Sequence, residues 1–500
     1  MQVERRRVAL VAWLIGIAGA LRLLPLGRLH PIAWDEIEYF RATDWVARGL
    51  VPYRDFWEHH TPLQWFIFAP VAALTTSPGV SAILAMRWAQ VPLWIVTFVL
   101  LAKWMRRAGA SRLAASIALL CALCSTLFTL GAIEYRVDVL GCALFVAGLF
   151  LLQRGNGFAA GVVLCLAGFA NIRLGPLILL CGAGSLTRRT GWRARPTSVL
   201  AGAAAAFAAC ATYFLATNSA AIAFRRVWTE NYLADRLTGE PALPMIRRLA
   251  APFGLVGGGF DLAAVDVGTI VIFIAGAIGL LFALRKRDDL FILAILQVAN
   301  IAFIASMKFI YHYHFMIIIL LALPFVAHVC DLLLARGRWR EITAIVTVTI
   351  AVSAFASVFR GKEDDLDYQD LVMREAHRLT TPGARVFDGV GYAIRREPAY
   401  RYWFLAQIVR TLEARGIFEP YDIAARPPDA VILSIPTRAW LATHPGQAEL
   451  IRRNYRPVLR ELWLPIRLAK PMDHSRVPPP PAGVSLDAVA PPRTHVPRLW

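Results

Sequence analysis

One short stretch of the chain, from Trp34 to Trp65, is much richer in ionisable side chains than the segments around it. Its six carboxylates and two adjacent histidines are Asp35, Glu36, Glu38, Asp44, Asp55, Glu58, His59 and His60. They follow an apolar run that is long enough to enter a membrane, and ionisable groups beside a lipid bilayer usually serve a function. This stretch therefore holds the first candidates for chemistry.

The spacing of the first acids indicates a general base. Asp35, Glu38 and Tyr39 fall at helical positions i, i+3 and i+4, so one face of a helix at the membrane surface would present a carboxylate pair. Partial desolvation raises the proton affinity of a carboxylate, which suits a base acting on a sugar or lipid hydroxyl. The alternative is a solvated interfacial helix whose acids pair with Arg41, Arg48 and Arg54.

The two histidines that follow Glu58 allow three interpretations: metal ligands, phosphate contacts or interfacial polar residues. Adjacent side chains in an extended segment point in opposite directions, which makes it difficult for His59 and His60 to bind one ion. We therefore predict no resident metal and no required cofactor. A divalent cation held with the help of an acid from elsewhere in the loop is the alternative.

A second motif, EYRVD, joins two apolar runs. Glu134, Arg136 and Asp138 alternate in it, so an extended backbone would turn all three to one side. Such a cluster would orient an acceptor or hold Asp35 in place. A salt bridge at a helix end is the alternative.

A third motif, KFIYHYH, lies at the start of a later apolar run. Its cations and hydroxyls are suited to gripping a phosphate carried on a lipid, and they come from Lys308, Tyr311, His312, Tyr313 and His314. Lys308 is the strongest candidate because its charge does not depend on pH near neutrality. The alternative is an aromatic belt, in which tyrosines lie at the membrane surface without a chemical role.

Composition fixes the class of protein that must position these residues. Of the 500 residues, 57% are hydrophobic and 17% are charged, and apolar runs recur near the ~20 residues that a helix needs to cross a bilayer. The net charge of +19 comes largely from arginines in short runs between apolar segments, so nucleic acid is not an expected partner. The chain is predicted to be an all-α polytopic membrane bundle.

Eleven membrane spans are predicted. They run from Val8 to Leu26, Ile83 to Trp104, Leu113 to Gly131, Val137 to Leu152, Phe158 to Ala170, Leu174 to Leu186, Ser198 to Ala216, Ala264 to Leu284, Leu290 to Ser306, Phe315 to Leu334 and Ile342 to Val358. The fifth and sixth are short and share Asn171 and Arg173, so a re-entrant pair is the alternative there. The arginine-rich ends fall on one side, which the positive-inside rule assigns to the cytoplasm. We therefore expect a multi-pass protein of the cytoplasmic membrane whose site faces the periplasm or the cell exterior.

The chain divides into three predicted regions. Residues 1–359 form the transmembrane domain, with a first outward loop at 27–82, and residues 360–475 form a small soluble α/β domain that also faces outward. Residues 476–500 are rich in proline and are predicted to be disordered. The soluble domain is expected to close over the site, with the segment from Tyr392 to Trp403 best able to contact substrate; a surface loop is the alternative for this segment. All seven cysteines lie in predicted spans, so no structural disulfide is expected.

Taken in order, these motifs resemble a known family. Asp35-Glu36 followed by Tyr39, then GLVPYRDF from Gly49, then EHHTPL from Glu58, resemble the first outward loop of the C-type (GT-C) glycosyltransferase superfamily. Its members include protein O-mannosyltransferases, the lipid A aminoarabinose transferase and lipopolysaccharide galacturonosyltransferases. The EYRVD and KFIYHYHFMIIILLALP segments also occur in the family's order.

The resemblance implies a polyprenyl-phosphate sugar as donor, an inverting displacement, and a lipid, glycan or protein acceptor in the cell envelope. By position, Asp35 is the base that deprotonates the acceptor hydroxyl, and Glu36 is its supporting acid. Lys308 provides phosphate-binding charge, with His60 or Arg136 beside it. The other candidate substrate-binding residues are Tyr39, His59, Glu134, Asp138, Tyr311 and His314.

Three other classes stay open. A transporter or flippase would line a path across the bilayer with charges, whereas here the charges gather at one surface. A polysaccharide polymerase or ligase would also use a lipid-linked sugar and would carry its important arginines in a large later loop. The loop from Thr217 to Leu262 has such arginines, namely Arg225, Arg226, Arg236, Arg247 and Arg248. A noncatalytic membrane anchor for the tail is the third alternative.

Overall fold

The computed structural model of the protein describes residues 27–186, 194–238, 250–253, 265–285, 289–307, 311–360 and 365–466, together with single positions within 10–19, Trp192 and two short strands within 255–260. Over these ranges the chain folds into a helical bundle followed by a smaller unit that contains a five-stranded sheet. The first predicted span falls mainly outside the described residues, and the proline-rich segment 476–500 lies wholly outside them.

The first outward loop opens with helix α1 (Trp34–Ala47). The Glu36 carboxylate accepts a hydrogen bond from the Ala33 amide (2.9 Å) and so satisfies a donor that the helix start leaves unpaired. The helix ends because Gly49 takes a left-handed φ of 86°. The predicted helix at this place is confirmed, and Asp35 lies in its first turn.

The bundle is built from apolar helices with short connections. In chain order they are α2 (Leu63–Leu74), α3 (Val80–Ala89), α4 (Val91–Arg107), α5 (Arg112–Cys124), α6 (Thr126–Ile133), α7 (Val137–Arg154), α8 (Gly157–Ala170), α9 (Gly175–Ser185), α10 (Pro196–Ala216), α11 (Ala220–Phe224), α12 (Asn231–Leu237), α13 (Val267–Ala283), α14 (Asp289–Ser306), α15 (Phe315–Ala335) and α16 (Trp339–Arg360). Short 3₁₀ turns occupy Ile172–Leu174, Ala251–Phe253 and His312–His314, and a π turn occupies Arg225–Glu230. Strands β1 (Leu255–Val256) and β2 (Gly259–Phe260) form a small antiparallel pair.

The second to eleventh predicted spans all contain helices. Among the described residues, four helices are long and apolar enough to cross a membrane, and a bent pair makes a fifth. The four are Val80–Arg107, Val137–Arg154, Pro196–Ala216 and His312–Ala335. The fifth and sixth predicted spans appear as the shorter apolar helices Gly157–Ala170 and Ile172–Ser185, and both the two-span and the re-entrant interpretations stay predictions.

The third predicted span is not one straight helix. Helices α5 and α6 bend by 73° at Ser125. The Ser125 hydroxyl accepts a hydrogen bond from the Phe128 amide (3.2 Å), and the Asp266 carboxylate accepts one from the Thr126 amide (2.6 Å). Two side-chain caps at one point start a new helix in a new direction. Sequence periodicity does not reveal this break because both halves are apolar.

Helices α8 and α10 touch through two glycines. A Cβ atom on Gly161 would lie 1.9 Å from the Val199 carbonyl oxygen, and one on Gly202 would lie 2.0 Å from the Phe158 carbonyl oxygen. Small residues allow helix backbones to approach this closely inside membranes. The contact fixes the position of α8, whose C-terminal end leads into Arg173.

The C-terminal unit has mixed α/β structure, as predicted. Its helices are α17 (Asp365–Leu379), α18 (Gln407–Ala414), α19 (Ile435–Thr443) and α20 (Pro445–Asn454). Its strands are β3 (Arg385–Asp388), β4 (Glu397–Pro398), β5 (Ala430–Ile432), β6 (Tyr455–Pro457) and β7 (Leu462–Pro465), in the sheet order β4-β3-β5-β7-β6. The sequence predicts short strands at Arg385 to Asp388 and at Ala430 to Ser434. These segments contain β3 and β5, which run parallel to each other.

The segment from Tyr392 to Trp403 contacts the first outward loop. The Arg41 guanidinium lies 4.9 Å from the ring centroid of Trp45 and 4.8 Å from that of Trp403, and Arg395 forms an ion pair with Asp44. The C-terminal unit therefore packs directly against α1. Contact between this segment and a substrate stays a prediction.

Gly391 is expected to be essential for this packing. Its φ is 97°, and a Cβ atom there would lie 2.7 Å from Arg41 Cδ and 2.8 Å from Trp403 Cζ3. Gly391→Ala should therefore lower the free energy of unfolding by about 2–4 kcal/mol, measured by thermal unfolding of the purified protein. Gly383→Ala is the control, because nothing lies within 4 Å of a Cβ atom there. If Gly391→Ala and Gly383→Ala lower the free energy of unfolding equally, a Cβ atom at Gly391 does not clash with Arg41 and Trp403.

Candidate active site

Asp35 lies in the first turn of α1, and its carboxylate is partly open to solvent. Its side chain is 30% exposed, whereas the Arg136 side chain that it contacts is 1% exposed. Arg136 Nη2 donates a hydrogen bond to Asp35 Oδ2 (2.7 Å). Within the part of the chain that the structure describes, the Asp35 carboxylate accepts no other hydrogen bond. Its Oδ1 atom is therefore available to a substrate hydroxyl.

Arg136 brings the predicted EYRVD cluster together. Its guanidinium contacts Glu134 Oε2 (3.0 Å) and Asp138 Oδ2 (3.3 Å) as well as Asp35. Its backbone is extended, with φ −138° and ψ 147°, which turns the three side chains to one side as the alternation predicts. The ring centroid of Tyr313 lies 3.4 Å from the guanidinium carbon. The cluster therefore holds Asp35 through a buried, fully engaged cation.

Glu36 is directed away from this opening. It is fully buried, and Arg87 donates to both of its oxygens, from Nε (2.7 Å) and Nη2 (2.6 Å). The amides of Ala33 and Tyr135 donate to it as well, at 2.9 and 2.8 Å. These contacts fix the first turn of α1 against α3 and the EYRVD motif, so Glu36 has the surroundings of a positioning residue. Its predicted part as a supporting acid stays a prediction.

A second cluster lies one turn further along α1. One ligand atom from each of Glu38, Glu58, His59 and His60 lies within 4.8 Å of the others. The expectation that adjacent histidines point apart is wrong here, because the segment is not a regular strand. The His59 and His60 ring centroids are 4.0 Å apart, and their Nδ1 atoms lie 3.4 and 2.9 Å from Glu58 Oε1.

The pKa values of three groups in this cluster are shifted from their ordinary values. Burial raises the pKa of Glu38 well above its ordinary value, and the nearby Glu58 and Asp35 carboxylates add to the shift. Burial also lowers the pKa of His60 to about 4. Against the effect of burial, hydrogen bonds from His59 and His60 keep the pKa of Glu58 low.

The unpaired atoms of the cluster are of the kind that could hold a cation. Among the described residues, both Glu38 oxygens and Glu58 Oε2 are buried without a hydrogen-bond partner. Two carboxylates and two imidazoles form a donor set that suits zinc or another divalent transition metal. Glu38 is thus the acid from elsewhere in the loop that the alternative interpretation of the histidines needs. His60 Nε2 also lies 3.2 Å from the Tyr39 hydroxyl, which connects this cluster to the surroundings of Asp35.

The KFIYHYH motif contributes only part of what was predicted. Lys308 lies outside the described residues. His312 Nε2 lies 3.5 Å from Glu134 Oε1, and the Tyr311 amide donates to His314 Nδ1 (3.2 Å). Tyr311 is 41% exposed and His314 is 4% exposed. Tyr313, which packs on Arg136, is the residue of this motif that contacts the Asp35 cluster most directly.

Two residues at the centre are missing from the predicted site. Asn171 Nδ2 donates to Asp138 Oδ1 (2.9 Å), and Arg173 Nη1 lies 3.7 Å from the same oxygen. The Arg173 guanidinium carbon also lies 5.5 Å from the Tyr313 ring centroid. The sequence does contain a signal for them, because Asn171 and Arg173 are polar residues between two short apolar runs. Polar groups at membrane depth usually have a role.

Solved structures with a similar fold are known. No family model matches the chain, and no curated protein matches it. Two crystal structures of ArnT from Cupriavidus metallidurans are similar to it, one bound to undecaprenyl phosphate with a TM-score of 0.61 and one in the apo state with 0.59. Each is 12% identical in sequence, and the match covers 93% of this chain and 99% of the other. The chain therefore has the fold of a polytopic membrane bundle with a small C-terminal α/β domain, as the resemblance to the GT-C superfamily implied.

Proposed function

We propose that this ArnT-like membrane protein is a glycosyltransferase that moves a sugar from a polyprenyl-phosphate donor to a hydroxyl group of a lipid, glycan or protein acceptor. The observation that carries the proposal is the partly exposed Asp35 carboxylate, held by a buried arginine beside the membrane helices. The solved structure with undecaprenyl phosphate supports a lipid-linked donor. The active site and the C-terminal unit are proposed to face the outer side of the cytoplasmic membrane.

The reaction follows from the geometry of Asp35. Its carboxylate accepts the proton of the acceptor hydroxyl while the acceptor oxygen attacks the anomeric carbon. The bond between that carbon and the phosphate oxygen breaks, and the electron pair leaves with the lipid phosphate. Attack from the face opposite to the phosphate inverts the anomeric configuration. The reaction needs no nucleotide.

Arg136 is a positioning residue in this mechanism. Its guanidinium is shared among Asp35, Glu134 and Asp138 and is covered by the Tyr313 ring. A cation already surrounded by three carboxylates has little free charge to offer a phosphate. The predicted contact between Arg136 and the donor phosphate is therefore less favourable than a role in holding Asp35 at a fixed angle.

The Glu38 cluster would hold a divalent cation if the active protein contains one. Glu38, Glu58, His59 and His60 would be its ligands, and the ion would supply fixed positive charge near the candidate active site. Without an ion, the raised pKa of Glu38 favours a protonated carboxyl there. These two states make different predictions about metal content.

In place of the sequence-based prediction of no resident metal, the donor set of this cluster leads us to propose about one divalent ion per chain in protein purified without chelators, measured by elemental analysis. Glu38→Gln should weaken metal binding by at least about tenfold, since it removes a charged ligand. Glu449→Gln is the control, because that side chain is 44% exposed and pairs only with surface arginines. Unchanged metal content in Glu38→Gln would place any bound ion outside this cluster.

The alternative classes predict a different distribution of charge or a different site. The buried ion pairs among the described residues gather on the side of the bundle that carries α1, which disfavours a charged path for a transporter or flippase. In the loop proposed for a polymerase or ligase, Arg226 Nη1 is paired with Glu230 Oε1 (2.7 Å). Because Arg226 is engaged by Glu230, it is less available to a substrate. The polymerase or ligase proposal then depends on the remaining arginines of this loop.

The proposed function is tested by comparing cell-envelope glycans from three strains. These are the wild type, a strain with the gene deleted, and the deletion strain complemented with the intact gene. Mass spectrometry of extracted lipopolysaccharide and glycoprotein should show one sugar that is lost on deletion and restored by complementation. If the deletion leaves every glycan unchanged but alters the distribution of a lipid-linked sugar across the membrane, transport becomes the better proposal.

A further inference from the structure

A cavity lies beside the Asp35 cluster. It is formed where the outer end of α7, the turn between α8 and α9, and the outer halves of α14 and α15 meet. Its polar lining includes Asp138, Asn171, Arg173 and Asn300, and its apolar wall comes largely from α14 and α15. The cavity therefore has a polar part next to the candidate active site and an apolar part within the membrane bundle.

Two side chains of this lining, Arg173 and Asn300, carry buried hydrogen-bond donors without a partner in the described part of the chain. Among the described residues, Arg173 Nη1 and Asn300 Nδ2 are buried and make no hydrogen bond. Asn300 is 2% exposed, and a buried amide nitrogen destabilises the protein unless a hydrogen-bond acceptor is bound to it. The two Asp138 oxygens are already engaged by Arg136 and Asn171. A ligand that fits this lining must bring acceptors and negative charge.

Arg173 is less engaged by protein groups than the other arginines described near Asp35. Arg87 is paired with both oxygens of Glu36, and Arg136 is shared among three carboxylates. Arg41 is packed against two tryptophan rings and donates a hydrogen bond to the Arg396 carbonyl oxygen. Arg173 has one distant ion pair, 3.7 Å long, and its side chain is 28% exposed. Of the arginines described around Asp35, it is thus the best placed to meet an anion.

We propose that this cavity binds the phosphate of the polyprenyl-phosphate donor, with Arg173 as the cation and Asn300 as a second donor. The inference rests on the proposed function and identifies the donor subsite within it. The hydrocarbon chain follows the apolar wall, along Phe303, Ile304 and Ile317. Phosphate oxygens are acceptors only, which matches the unpaired donors, and arginine can offer two parallel hydrogen bonds to them.

The position of the cavity suits the displacement. The Tyr313 ring packs on both the Arg136 and Arg173 guanidinium groups, and Arg136 holds Asp35 at 2.7 Å. A phosphate at Arg173 and a base at Asp35 therefore belong to one centre, so the sugar can lie between them. Arg173 would then also stabilise the charge that grows on the leaving phosphate.

The test is binding of undecaprenyl phosphate to the full-length protein in detergent, measured by native mass spectrometry. Arg173→Gln should weaken binding about 10- to 100-fold, the effect of losing a charged hydrogen-bond partner. Arg173→Lys should recover part of the loss. Asn300→Leu, which keeps the volume and removes the donor, should weaken binding about three- to tenfold. Arg374→Gln is the matched control, because that side chain is 59% exposed on α17.

Further ligands and variants separate the possible failures. Undecaprenol, which lacks the phosphate, should bind wild type and Arg173→Gln alike, and equimolar inorganic phosphate should not displace the lipid. Displacement by inorganic phosphate would make the cavity a general anion site and overturn the lipid assignment. If wild type binds undecaprenyl phosphate and both Arg173→Gln and Asn300→Leu bind it equally well, the subsite is wrong while the proposed function stands. If wild type does not bind it, the proposed function fails as well.

Discussion

Asp35→Asn is expected to slow sugar transfer by about 10²–10⁴-fold, the contribution of a positioned general base. The amide keeps the size of the side chain and can still accept a hydrogen bond from Arg136, but it cannot take up the proton of the acceptor hydroxyl. Transfer from a labelled polyprenyl-phosphate sugar by the purified full-length protein measures the effect. Binding of undecaprenyl phosphate should be unchanged or tighter, because a negative charge near the phosphate is removed.

The matched control for this prediction is Asp55→Asn. Asp55 belongs to the same loop, and its 26% exposed side chain pairs with Arg54 rather than with the Asp35 cluster. Its transfer rate should remain within about twofold of wild type, since exposed ion pairs contribute little. Equal rates for wild type and Asp35→Asn, with both proteins folded, would remove Asp35 as the base.

Arg87→Met is expected to have the largest effect on stability. Arg87 and Glu36 are 2% and 0% exposed, 51 residues apart in sequence, and joined by two short hydrogen bonds. Removing one partner leaves a buried charge without compensation, which costs about 3–5 kcal/mol. The thermal unfolding temperature in detergent should fall accordingly, and transfer activity should be lost with it because the first turn of α1 is no longer fixed.

A double variant separates the charge effect from loss of packing. Glu36→Gln combined with Arg87→Met removes both charges, so the double variant should be destabilised less than the sum of its two single variants, by an interaction energy of about 0.5–3 kcal/mol. Arg338→Met provides the control, because Arg338 pairs with Glu341 at the surface with 61% of its side chain exposed. A double variant as unstable as the sum of its two single variants would show that Glu36 and Arg87 act independently.

These two predictions concern two layers of one site. Asp35 lies at the opening, where a substrate can reach it, and Glu36 lies directly behind it with every oxygen satisfied. Neighbours in sequence therefore fall on different faces of α1, since successive residues in a helix are turned by about 100°. A change at Asp35 should affect chemistry with little loss of stability, and a change at the Glu36 pair should affect both.

The sequence by itself determined the class of protein and the location of its chemistry. Apolar runs of membrane length and a low share of charged residues leave few solutions other than a polytopic helical bundle. The helix that carries Asp35 and the convergence of the EYRVD side chains also follow from local rules, because helical and extended spacing decide which side chains share a face. The strands β3 and β5 were predictable as well, because short apolar runs are typical of buried strands.

Only the tertiary structure decided which distant residues meet. Asp35 and Arg136 are 101 residues apart, and Glu36 and Arg87 are 51 apart, so no local pattern pairs them. The same holds for Glu38 beside His59 and for Arg173 beside Tyr313. The bend at Ser125 depends on Asp266, which caps the Thr126 amide from 140 residues away. Local spacing determines how one helix presents its side chains, whereas burial of charge is decided by the partner that the packed bundle brings within hydrogen-bond distance.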